Sequence, residues 1–274
     1  MSATVPDVAP SLPRRARLGR YGLWQMRDYF FDRGSITLIL CVALGYAQAF
    51  PMLQLAHARA NALTAQGIGR YGSADAARQA ILHDATQGFV TSFLGVVVYL
   101  GALLAINGIA ANDRKMGYYR FLFAKPVRPT RYYGQAFVLH LVGFVSLVTL
   151  LALVFGALVS PVLSVRLVSV SALMFVFYAG IGFLFSAATR SDWLAVVALS
   201  VASQVLWSLY GASENAVAKL LYLLPPLPRS SEVYAAAAGG TALPWHLLGW
   251  FVGYGAVCLG AGLIVLHHRR QAIN

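Results

Sequence analysis

Acidic side chains are scarce: nine Asp and Glu stand against 21 Lys and Arg in 274 residues, and charged residues of both signs make up only 11%. So little charge beside 59% hydrophobic residues excludes an ordinary soluble globular domain. Cysteine is equally sparse. Cys41 and Cys258 both fall inside apolar runs, where they read as small packing residues rather than as a disulfide or a metal pair. No GxxxxGK[ST] sequence occurs, so the chain carries no phosphate-cradling loop of its own. The few acidic residues lack the spacing of a metal site, and Ser, His and acid do not cluster as a nucleophilic centre. No soluble domain is left to carry nucleic-acid binding.

What the chain has instead is apolar length. Six runs approach the 20 or so residues needed to cross a hydrocarbon core of about 30 Å. They cover Ser35–Leu53, Gly88–Ala111, Gln135–Ser160, Leu167–Thr189, Trp193–Tyr210 and Trp245–Leu266, and none has Asp, Glu, Lys or Arg in its interior. Without period-2 alternation they favour helices over barrel strands. The expected fold is an all-α polytopic membrane protein with six transmembrane helices. Basic residues set its orientation: with both termini in the cytosol, 15 of the 21 Lys and Arg face inward. Juxtamembrane arginines of this kind also suit anionic membrane lipids.

Residues 1–34 read as a cytosolic tail followed by an amphipathic helix. Between Arg14 and Arg33, an apolar stripe with Leu23, Trp24, Phe30 and Phe31 opposes Arg20, Arg27 and Asp28, which suits a helix lying in the membrane interface. Ala47-Gln48-Ala49 has the form of a signal cleavage site, but the segment before it is too long and aromatic, so the first helix is expected to be retained. The transmembrane domain is then 35–266, with outer loops at 54–87 and 211–244 and a cytosolic tail at 267–274. The loop 54–87 has room for one or two short helices. In the loop 211–244, the apolar stretch Val217–Leu224 is too short to cross and reads as re-entrant or surface-lying. No internal repeat points to an inverted-repeat carrier.

Ion-coupled carriers use ionisable groups at membrane depth. Here the spans offer only Gln48, Asn107, Gln204 and scattered hydroxyls. Asn107 and Gln204 are candidates either for hydrogen bonds between helices or for a translocation path. His140 and His246 lie toward opposite ends of their spans and cannot share one haem; each reads as a satisfied or interfacial histidine.

The remaining feature is a polar island, Asn112–Tyr133, between the second and third apolar runs. It holds six of the 21 basic residues: Arg114, Lys115, Arg120, Lys125, Arg128 and Arg131. Gly117 permits a turn or close approach, Tyr118–Phe123 is aromatic, and Pro126 and Pro129 are expected to break any helix. Such a segment suits either docking of a cytosolic partner or an aromatic belt at the interface.

Asp113, Gly117 and the run Leu122-Phe123-Ala124-Lys125-Pro126-Val127 with Tyr132 beyond it resemble the ABC-2 type ABC-transporter permeases. The order of six spans, inner termini, amphipathic N-terminal helix and Pro-containing outer segment is similar too. The resemblance implies that Asp113, Arg114, Gly117, Tyr118, Arg120, Pro126, Arg128 and Arg131 form a coupling surface for an ABC ATP-binding subunit. It also implies ATP and Mg on that separate subunit, no cofactor on this chain, pairing with a second permease as homodimer or heterodimer, and export from the cell inner membrane. A membrane scaffold or assembly factor docking a cytosolic partner is the alternative.

Overall fold

A computed structural model describes residues 35–62, 71–106, 109–110, 128–158, 163–189, 193–211, 224–225 and 227–271, with a few isolated positions before and between them. Among these residues the chain is helical and has no strand. The helices are α1 (Ser35–Asn61), α2 (Ala74–Ile106), α3 (Pro129–Leu158), α4 (Val165–Ala188), α5 (Trp193–Tyr210), α6 (Ser230–Gly239) and α7 (Trp245–Gln271). Helices α2, α3, α4 and α7 are long and apolar enough to span a membrane. Large apolar side chains also point outward, among them Ile39, Phe50, Val138, Leu153, Leu209 and Val257. In water such a surface would be untenable; against lipid it is the expected exterior. The chain is a helical, multi-pass membrane protein.

The helix termini follow local chemistry. Pro129 does not merely end a preceding helix; it opens α3 at the first helical position, where its missing N–H costs nothing. The Arg128 carbonyl accepts from the Arg131 and Tyr132 amides, both at 3.1 Å. Ser164 caps α4 by accepting from the Leu167 amide at 3.0 Å. Ser73 does the same for α2, accepting from Ala76 at 3.1 Å, just after Gly72 turns the chain at φ 80°.

That cap changes the expected loop 54–87. Helix α1 continues to Asn61 and α2 already begins at Ala74, so most of the interval extends two long helices rather than forming separate short ones. Alanine-rich sequence such as Ala76-Ala77-Arg78-Gln79-Ala80 has high helix propensity, and a hairpin of long helices stabilises it by mutual packing. The segment expected to lie in the interface at 14–33 falls almost wholly outside the described residues.

Helix α4 is the hub. Its most apolar window is 67% buried, against 28% for α7. Phe144 of α3 stacks on Phe175 of α4 with ring centroids 4.7 Å apart, and Tyr133 packs edge-on toward Phe183. Helix α7 lies against another face of α4 through glycine. A Cβ added to Gly255 would sit 2.5 Å from Phe177 Cα, and one added to Gly180 would overlap the Gly255 carbonyl oxygen. Small residues at this crossing let two membrane helices approach backbone to backbone.

Helix α6 is a half-length element running along α2. Gly239 lies beside Gln87 and Tyr234 beside Gly95, so the N-terminal end of α6 points into the bundle. The eight residues from Gln87 to Gly95 correspond to about 12 Å of depth. Ser203 of α5 donates to the Pro225 carbonyl at 2.7 Å, holding the approach to α6 midway along α5. At the other end, Gly240 closes α6 in the left-handed conformation at φ 69°. Arg166 reaches from the start of α4 to donate to the Gly240 carbonyl at 3.0 Å and to the Thr241 carbonyl. Val217–Leu224, expected to be re-entrant or surface-lying, is outside the described residues apart from Leu224.

Candidate functional site

Two regions bear on the candidate residues. At one end of the bundle, α2 finishes at Ile106 and α3 begins at Pro129, and the polar island connects them. Ile109 and Ala110, which follow α2, are buried. Of the eight candidate coupling residues, Arg128 and Arg131 are described, and both are exposed. Asp113, Arg114, Gly117, Tyr118, Arg120 and Pro126 lie outside the described residues. Arg128 and Arg131 flank the N-terminus of α3, the positive end of the helix dipole, which disfavours cations by some 0.3–1 kcal/mol each. Helix stability therefore does not explain two guanidinium groups here.

The second region is a groove of about 360 Å³ between α2, α4, α5 and α6. Helix α2 contributes Thr91, Ser92 and Tyr99, and α4 contributes Tyr178. From α5 come Ser200 and Gln204, the latter exposed; α6 adds Ser230, Ser231 and Tyr234. No lining side chain carries a charge. Tyr99 meets Tyr178 edge to face at 5.1 Å between centroids. The Tyr234 hydroxyl is buried beside the Tyr178 hydroxyl, its hydrogen-bonding neighbour, which also meets Ser230.

Next to the groove, in the first turn of α6, Arg229 holds Glu232 through two hydrogen bonds, Nε to Oε1 at 2.8 Å and Nη2 to Oε2 at 3.0 Å. The guanidinium donors of Arg229 hold the Glu232 carboxyl below its ordinary value, against the opposing effect of burial. A bidentate pair of this kind presents no net charge to its surroundings.

Gln204 is thus placed in a polar groove, while Asn107 lies outside the described residues. The three tyrosines escaped the reading of the sequence. The available signal was the position of Tyr99 and Tyr178 in the middle of apolar runs, where a hydroxyl requires a partner or a path. His140 is buried with Nδ1 2.6 Å from the Ala136 carbonyl, and His267 and His268 are exposed, their rings edge to face at 5.9 Å between centroids. Cys41 and Cys258 are buried and unpaired with each other. Among the described residues, no three His, Cys, Asp or Glu side chains gather where they could hold a metal.

No protein-family model, curated protein or solved structure matches this chain.

Proposed function

We propose that this chain is the permease subunit of an ATP-driven ABC-2 type exporter in the cell inner membrane. In this reading it crosses the membrane six times, α1 and α5 joining the four longer spans, with both termini and the interfacial N-terminal helix on the cytosolic side. ATP and Mg are held by a separate ABC ATP-binding subunit, and two permease chains, identical or not, form the translocation path. Asn107 and Gln204 face that path.

The observation that carries this reading is the segment Asn112–Tyr133, where Asp113, Gly117, Pro126, Val127 and the basic residues sit in the order described above. Two features of the fold support it. The segment joins α2 to α3 at one end of the bundle, where Arg128 and Arg131 are exposed. A half-length helix, α6, also precedes the last span. ATP-driven closure of the ATPase pair would push on this segment and rock the spans between two states.

Affinity purification of the tagged chain from its native membrane tests the proposal. An ABC ATPase should co-purify with the wild type and be lost from a Gly117→Glu/Arg120→Glu variant that still inserts into the membrane. Retention of the ATPase by that variant would remove the segment as the coupling surface. Recovery of a different cytosolic partner, with no ATPase, would favour the scaffold.

A further inference from the structure

We propose that the exposed face of α6 carrying Arg229 and Glu232 docks on the same face of a second copy of this chain. The proposal rests on the membrane placement above and deepens the pairing of permease chains, naming an identical partner and the surface it meets. Depth comes first. Tyr234 of α6 lies beside Gly95, seven residues into the apolar run that starts at Gly88, and α6 runs inward from there toward its N-terminus. At the rise of a helix this places Glu232 about 13 Å below the outer edge of a hydrocarbon core about 30 Å thick.

At that depth the pair faces outward. The Arg229 and Glu232 side chains are 47% and 50% exposed in the single chain. An arginine with a free stem can snorkel to the interface, but Arg229 is held on Glu232 through Nε and Nη2. Those bonds use two of the five guanidinium N–H donors. Among the described residues the other three meet no acceptor, and hydrocarbon offers none. An ion pair exposed here calls for a polar protein surface across from it.

A two-fold axis supplies that surface from the same residues. In an isologous contact each residue of a pair meets its counterpart on the other chain. The spare donors of Arg229 then reach the partner's Glu232, and the reverse, closing a ring of two cations and two anions. Beside the pair, Ser231 and Ala235 are exposed and small, so two α6 backbones can approach closely. The Ser231 hydroxyl is turned onto the Pro228 carbonyl at 3.2 Å and adds no unmet polar group. A water-filled path would instead favour polar side chains along this face, which continues beyond Glu232 with Ala235.

Two differently tagged copies, co-expressed and purified in mild detergent, test the contact through recovery of one tag on the other. Wild-type copies should recover each other. Glu232→Arg sets like charges against one another across the axis and should lower recovery about tenfold or more, as should Arg229→Glu. Co-expressing one Glu232→Arg copy with one Arg229→Glu copy should restore it, because opposite charges then face each other; a role confined to folding of the single chain gives no such rescue. Ala235→Leu, at an exposed position, should weaken recovery without lowering the yield of folded monomer. Unchanged recovery in the single variants, or no rescue in the mixed pair, would overturn the proposal. So would ready labelling of a Glu232→Cys copy by a membrane-impermeant maleimide, the mark of a water-filled path, in place of a disulfide between copies. The ATPase takes no part in the experiment. Chains that pair but recruit no ATPase overturn the function alone, and chains that recruit it without this contact overturn only the docking.

Discussion

Helix α4 has two unlike faces. Toward α7 it is dry and close-packed: Phe177 meets Phe251 at 4.9 Å between centroids, and Gly180 lies against the Gly255 backbone. Toward α2, α5 and α6 it presents Tyr178 to an open, hydroxyl-lined groove. Phe177 and Tyr178 are neighbours in sequence, turned about 100° apart by helix geometry. The difference teaches where this bundle is fixed and where it has capacity to bind. A contact through glycine tolerates no added atom, whereas an open groove has room for added side-chain atoms.

The comparison can be broken first on its dry face. Gly180→Leu should have the largest effect, because its Cβ alone overlaps the Gly255 carbonyl oxygen. Overpacking costs about 1–3 kcal/mol where neighbours can shift, and backbone can shift least. The expected result is loss of monodisperse protein on size exclusion, with Gly255→Leu behaving alike. Next is Arg166→Gln, which removes the charged donor to the Gly240 and Thr241 carbonyls. A charged hydrogen bond contributes about 1.5–3 kcal/mol, so thermal unfolding should come earlier. Protease sensitivity near 240 should rise as α6 loosens.

Ser203→Ala on α5 should cost less, about 1 kcal/mol for one neutral hydrogen bond, since it frees only the Pro225 carbonyl. Tyr234→Phe should cost a comparable amount, because it removes a buried hydroxyl that faces the Tyr178 hydroxyl across α4 and α6. Unchanged thermal stability would mean that this pair does not help to hold α6 against α4.

The smallest effect belongs to Glu232. Its folded carboxyl is depressed by the hydrogen bonds from Arg229, so its contribution is present above the ordinary carboxylate range. That contribution is lost as pH falls below it. The pair is half exposed, so solvent or polar surroundings screen it and Glu232→Gln should flatten only a shallow acid-side slope in thermal stability.

Much of this architecture was legible in hydropathy. The fifth run, Trp193–Tyr210, coincides with α5, and the fourth and sixth runs begin within two residues of α4 and α7. Hydropathy failed at 54–61 and 74–87, where α1 and α2 outrun their apolar segments; Ala, Arg and Gln favour helix without favouring lipid. The groove was the least legible. Gln204 drew attention as a lone amide in a span, but its companions come from positions 91 to 234 and meet only through the placement of α6. Small residues at 235–240 gave no hint that Tyr234 just before them would pack beside Tyr178 and Gly95 at the groove.

The central claim, that the segment between α2 and α3 receives the force of ATP hydrolysis, is tested most directly by the hydrolysis rate of the co-purified ATPase. It should be measured with the wild-type chain in nanodiscs and with Gly117→Glu/Arg120→Glu. The account predicts that the wild-type chain changes the rate and that the double variant, inserted and folded, returns it to that of the ATPase alone. An ATPase rate indifferent to the chain, or equally altered by both forms, would contradict it.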